Sequence, residues 1–119
     1  MIRIATKVAR ESKFERARMG AVVVRGGSVL STGCNRIGFS KYLRNRVFVE
    51  SVHAEAQAIL GLLKKHKLED LVGSTLFVSR VNNSGTARYA RPCPACQRLC
   101  ESVGIRKVIY TTNNGTEEL

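Results

Sequence analysis

The chain has 119 residues, enough for one domain (residues 1–119) with a single modest core and too few for two. Hydrophobic residues make up an ordinary 44%, no tract is Gln-, Ser- or Pro-rich, and no apolar run approaches a membrane span, so fibrous, disordered and membrane-spanning classes are set aside. Twenty Lys and Arg against nine acids give a net charge of +11, which suits anionic partners such as nucleotides or nucleic acid as well as it suits a solvated surface.

In chain order, Met1-Ile2-Arg3-Ile4 lacks the layout of a signal peptide, so a cytoplasmic, reducing compartment is expected. There the four cysteines read as metal ligands or buried thiols rather than disulfides. Ile4, Ala5, Val8 and Ala9 share a helical face and predict a first helix over 4–11. A basic loop from Lys13 to Arg18 follows, then the β-branched run Gly20 to Val24 as a buried strand. Arg25-Gly26-Gly27-Ser28 supplies a tight turn, and Val29 to Thr32 returns antiparallel.

Gly33 to Val52 shows no clean period and reads as a long functional loop carrying Asn35, Arg36, Arg44 and Arg46. His53 to Lys65 has a helical stripe of Ala54, Ala58, Ile59, Leu62 and Leu63, with Lys64, Lys65, His66 and Lys67 at its C-terminal end. Thr75 to Ser79 is a third strand, and Asn82 to Arg91 a polar loop with an Asn-Asn-Ser-Gly turn. Cys93 to Val103 is a third helix stopped at Gly104, Lys107 to Thr111 a fourth strand, and the last eight residues a short tail. The order α-β-β-α-β-α-β implies a mixed sheet covered by helices.

Two short constellations carry chemistry. Cys93 and Cys96 are three apart at a helix start, so they share a face and can hold one metal ion, in a field that favours thiolates. Pro94 fits the first helical turn, where its missing N–H costs nothing. His53, at the start of another helix, offers a third ligand, and three protein ligands leave zinc's fourth position open to water. Glu55, two residues on, reaches that position as a proton carrier without binding the metal. Each half is weak alone: a His-x-Glu is common, and a Cys-x-x-Cys is also a redox pair or half a zinc ribbon.

Together, His53-Ala54-Glu55 and Pro92-Cys93-Pro94-Ala95-Cys96 match the signature of zinc nucleobase deaminases. The sequence resembles the cytidine deaminase-like superfamily over nearly its whole length, nearest to the CMP/dCMP type. Beyond the two motifs, the matching pieces are Met19 to Val24, Thr32-Gly33-Cys34-Asn35, His53 to Ile59 and Gly104 to Tyr110. The resemblance implies a three-layer α-β-α fold around a mixed sheet. It also implies Zn2+ held by His53, Cys93 and Cys96, Glu55 as proton shuttle, and Asn35 on the substrate sugar. Family members continue past the fourth strand into a further helix and strand; here a fold cut short after that strand is expected, with the substrate-selecting elements either missing or supplied by a neighbouring subunit of a homo-oligomer.

The expected reaction is hydrolytic deamination of cytosine in a nucleotide, dCMP or CMP preferred. The alternatives are a deaminase of cytosine or adenine in single-stranded nucleic acid or tRNA, and a non-catalytic zinc-stapled nucleic-acid-binding module. Three Tyr and four Phe give few stacking platforms for a polynucleotide; Phe39, Tyr42 and Tyr89 are the loop candidates. Ala54, Arg88, Tyr89 and Arg91 are expected to line the substrate pocket, the arginines, with Arg44 or Arg46, holding a phosphate. Asn35 could also be a simple turn residue, while Cys34 and Cys100 read as buried packing and His66 as solvated.

Overall fold

A computed structural model describes residues 1–12, 18–39, 49–52 and 54–119. His53, Tyr42, Arg44 and Arg46 lie outside the described residues, as does the basic stretch 13–17. The elements are α1 (Ile2–Arg10), β1 (Arg18–Arg25), β2 (Ser28–Cys34), β3 (Arg36–Phe39), β4 (Val49–Val52) and α2 (Ala54–Leu63). They continue with β5 (Thr75–Val81), β6 (Ala87–Arg88), α3 (Pro94–Ser102), β7 (Lys107–Thr112) and β8 (Gly115–Glu118).

The main sheet runs β2-β1-β5-β7-β8, with β6 on the end of β5. Only β5 and β7 are parallel, because α3 forms the crossover between them; the other pairs are antiparallel. The β1–β2 turn has the expected chemistry: Gly26 and Gly27 sit at φ 56° and 79°, where other residues are strained.

Alternation along the strands sorts the core into two layers. Ala21, Val23, Leu76, Val78, Val108 and Tyr110 face α2 and α3, meeting Ala54, Ala58, Ile59, Leu62, Cys100 and Val103. Val22, Val24 and Phe77 face α1, meeting Ala5 and Val8. This is the mixed sheet between helices that the element order implies.

Two glycines set the helix distances. A Cβ on Gly20 would run into the Ala5 carbonyl and the Ala9 amide of α1, and one on Gly33 would lie 2.5 Å from the Ala58 nitrogen of α2. Bare backbone at these positions lets each helix lie directly on the sheet.

Several expectations need correction. The segment after Gly33 is not an unbroken loop: β2 extends to Cys34, and β3 and β4 pair as a separate antiparallel ribbon. The terminal residues are not a loose tail, since Gly115–Glu118 pairs with β7. Every residue of β8 is exposed, so it carries no apolar alternation to betray it; backbone bonding and the Tyr110 hydroxyl, donating to Glu117 Oε2 at 3.0 Å, hold it. Ile4 and Leu63 are exposed rather than core. Among the described residues no helix is long and apolar enough to cross a membrane.

Candidate active site

The N-termini of α2 and α3 meet on one face of the sheet. β4 delivers the chain into α2, whose second residue is Glu55, and the segment after β6 delivers it into α3. Cys93 is the N-cap of α3 in extended conformation (φ −67°, ψ 162°), and Pro94 follows as the first helical residue. The Gln97 amide N–H donates to the Cys93 carbonyl at 2.9 Å, and Gln97 Nε2 donates to the Pro92 carbonyl at 2.8 Å, fixing the entry to the helix. The two thiols therefore sit on one turn at the positive end of a helix dipole.

Glu55 is 1% exposed, and its Oε1 has no hydrogen-bond partner among the described residues. A buried carboxylate with an unpaired oxygen is costly, so such an atom asks for an explanation. Its neighbour is Cys96: burial first, then the charge of Glu55 and a hydrogen bond to it, then the Cys93 thiol, push the Cys96 thiol far up. Glu55, Cys93 and Cys96 are thus drawn together. None of the four cysteines, Cys34, Cys93, Cys96 and Cys100, is in a disulfide. Cys100 is 3% exposed in the core, and burial, then Glu55, pushes it up to about 11.

Asn35 is buried and held by contacts the sequence gives no sign of. Its Oδ1 accepts from Ser12 Oγ at 2.6 Å and from the Met19 amide N–H at 2.9 Å. The backbone donor fixes which end of the carboxamide is oxygen. Ala54 is fully buried.

The basic triplet separates. Arg88 and Tyr89 line a groove with Arg80, Asn82 and Asn113, whereas Arg91 lines another with Gln97, Cys100 and Arg106. Thr111 ties the segment down: its Oγ1 donates to the Arg88 carbonyl at 2.7 Å, and the Ala90 amide donates to its carbonyl at 2.9 Å. The Tyr89 ring packs edge-on against Tyr110, centroids 5.9 Å apart. Sequence reading missed Ser12, Arg80 and Thr111. Only Arg80 left a signal, since continuing the alternation of Leu76 and Val78 by one step puts it on the helix-bearing face.

Comparison with known proteins joins these observations. The family described as the cytidine and deoxycytidylate deaminase zinc-binding region matches residues 1–112. A deoxycytidylate deaminase of Mycobacterium phage D29 is 34% identical over 126 residues, covering 90% of this chain and 88% of the phage protein. The apo dCMP deaminase of cyanophage S-TIM5 superposes with a TM-score of 0.68 at 27% identity, over 93% of this chain and 79% of that one. The same phage enzyme solved with dCMP and dUMP gives 0.62 at 25% identity, over 92% and 76%.

Proposed function

The chain belongs to the cytidine and deoxycytidylate deaminase zinc-binding family, and from that premise we propose that it deaminates the cytosine of a nucleotide, dCMP or CMP, releasing ammonia. The observation that carries the reading is the buried Glu55, with a carboxylate oxygen that has no partner among the described residues, beside the Cys93–Cys96 pair.

The donor set suits a divalent zinc. Two thiols and a carboxylate crowded in a buried corner repel one another once ionised, and a cation relieves that repulsion. Among the described residues no three His, Cys, Asp or Glu side chains form a complete ligand group; His53, outside them, would complete the set with Cys93 and Cys96. When bound there, zinc lowers the pKa of a water at its open position, giving a nucleophile at neutral pH.

Glu55 does the proton work. Its free oxygen takes the proton of the attacking water and passes it to the ring nitrogen next to the amino-bearing carbon. A second proton leaves the new hydroxyl by the same route and goes to the departing amine. Water oxygen ends as the ring carbonyl, and nitrogen leaves as ammonia.

The backbone at Ala54 and the side chains of Asn35, Arg88, Tyr89 and Arg91 are assigned to the substrate. Ser12 Oγ and the Met19 amide hold Asn35 Oδ1 in one orientation, which supports a fixed positioning role for this side chain at the substrate sugar. Homo-oligomerisation belongs to the same proposal; exposed Leu60 and Leu63 on α2 support it.

The test is an ammonia-release screen over cytidine, CMP, dCMP, single-stranded DNA and RNA, with zinc content measured in the parent and in Glu55→Gln. The expected result is turnover of the mononucleotides, a drop of roughly 10²–10⁴ in kcat for Glu55→Gln, and zinc retained. Full turnover in that variant would remove the shuttle role, and turnover of polynucleotides alone would replace the substrate.

A further inference from the structure

Arg80 and Arg88 are directly opposed across the β5–β6 pair, so their side chains leave the same face of the sheet. Like charges in that register repel. Among the described residues neither guanidinium has an ion-pair partner; the pairs present are His66–Asp70 and Lys107–Glu118, both elsewhere. The groove they line, about 330 Å³, has no acidic residue among the described residues of its wall. Its remaining wall consists of Val81, Asn82, Tyr89 and Asn113.

Asn82 is oriented by its own loop. Its Oδ1 accepts from the Ser84 amide at 3.0 Å and the Thr86 amide at 2.9 Å, so what it offers a ligand is N–H. Tyr89 is half-exposed and braced on Tyr110, which holds its ring in place. Among its described residues the groove therefore presents two forked cations, amide donors and an aromatic plane, and no anionic side chain.

Its position matches the reaction centre. Arg80 lies at the C-terminal end of β5, where the parallel β5–β7 pair opens and where ligands of such sheets bind. Arg80 is opposite Met19 across the β1–β5 pair, and Met19 packs against the layer that includes Ala54 and Cys100, from the same helices as Glu55 and Cys96. Arg88 precedes Cys93 by five residues, which limits their separation to roughly 17 Å of extended chain.

We propose that the Arg80–Arg88 groove is the phosphate subsite of this deaminase, gripping the 5′-monophosphate of a pyrimidine nucleotide, with Arg80 as its specificity-determining residue. The proposal rests on the nucleotide-deaminase reading and moves the phosphate contact away from Arg91, which lines a different groove. Two guanidiniums held apart by a fixed strand register can each donate to separate oxygens of one phosphate. Their mutual repulsion disappears when the dianion sits between them.

The experiment compares the parent, Arg80→Gln, the Arg80→Gln/Arg88→Gln double variant and Arg106→Gln as a control in the neighbouring groove. Turnover of dCMP and deoxycytidine is measured, together with calorimetric binding of dUMP and deoxyuridine. In Arg80→Gln the ratio of kcat/KM for dCMP to that for deoxycytidine falls at least tenfold, through KM, and further in the double variant. Affinity for dUMP falls in parallel while that for deoxyuridine does not, and Arg106→Gln leaves the ratio within twofold. A ratio within twofold of the parent in the double variant overturns the subsite, as does a parent that does not distinguish dUMP from deoxyuridine. If the parent releases ammonia from no cytosine compound, the deaminase reading fails by itself, and dUMP binding to Arg80→Gln still decides the phosphate subsite.

Discussion

The two faces of the central sheet treat buried polar groups in opposite ways. Towards α1, Thr6 Oγ1 and Ser79 Oγ satisfy each other with a 2.8 Å hydrogen bond. Towards α2 and α3, the buried Glu55 carboxylate keeps an oxygen without a partner among the described residues. Arg18 Nε, the other such atom, belongs to a guanidinium with further donors. A satisfied group rigidifies the fold, whereas an unsatisfied one is tolerated where chemistry requires it. The α1 face is therefore read as scaffold, and the other face as the one that would house the proposed reaction.

The glycines under the helices break this comparison most sharply. Gly20→Ala pushes a methyl into the α1 backbone, and Gly33→Ala does the same to α2. Each is expected to cost about 3 kcal/mol, because backbone atoms cannot step aside as a flexible side chain does. Thermal unfolding should show similar losses for both. Activity should not: Gly33→Ala shifts the helix that carries Glu55 and lowers kcat in the folded fraction, while Gly20→Ala shifts a helix that carries none of the proposed chemistry and leaves kcat per folded molecule within twofold. Equal kcat losses would dissolve the distinction between the faces.

That division was partly legible in the sequence. The hairpin at Gly26-Gly27, the helix start at Pro94 and the apolar runs of β1, β5 and β7 are local signals, readable from a few adjacent residues. Spacing put Cys93 and Cys96 on one helix face, but their approach to Glu55 was legible only through the resemblance of the two motifs to the zinc nucleobase deaminase signature. β8 was not, because Gly-Thr-Glu-Glu is wholly exposed and exists only through its ladder to β7. β3 and β4 are four residues each and pair across a nine-residue gap, too short to show a period. Ser12 was invisible for another reason: its meaning lies in a partner 23 residues away.

Ser12→Ala sharpens the same contrast at a smaller scale. Removing the hydroxyl takes the Ser12 Oγ contacts from both the Oδ1 (2.6 Å) and the carbonyl (2.8 Å) of the buried Asn35. The expected loss is about 2 kcal/mol in denaturant unfolding. With Asn35 less firmly oriented, KM should rise for every cytosine substrate alike, nucleoside and nucleotide. A rise confined to the nucleotide would assign Asn35 to the phosphate rather than the sugar.

The smallest effect tests the scaffold face alone. Thr6 Oγ1 bonds both the Ile2 carbonyl at 3.0 Å and Ser79 Oγ, so Thr6→Val removes two contacts and Ser79→Ala one. A double-mutant cycle isolates the shared bond, for which a coupling of about 1 kcal/mol is expected because both hydroxyls lie between α1 and β5. Zinc content and kcat per folded molecule should stay at the parent level in all three variants. If the α1 face were coupled to the reaction, kcat would fall with this bond. A change in stability without a change in kcat would mean that the sheet insulates one layer from the other, because its central strands present a different set of side chains to each.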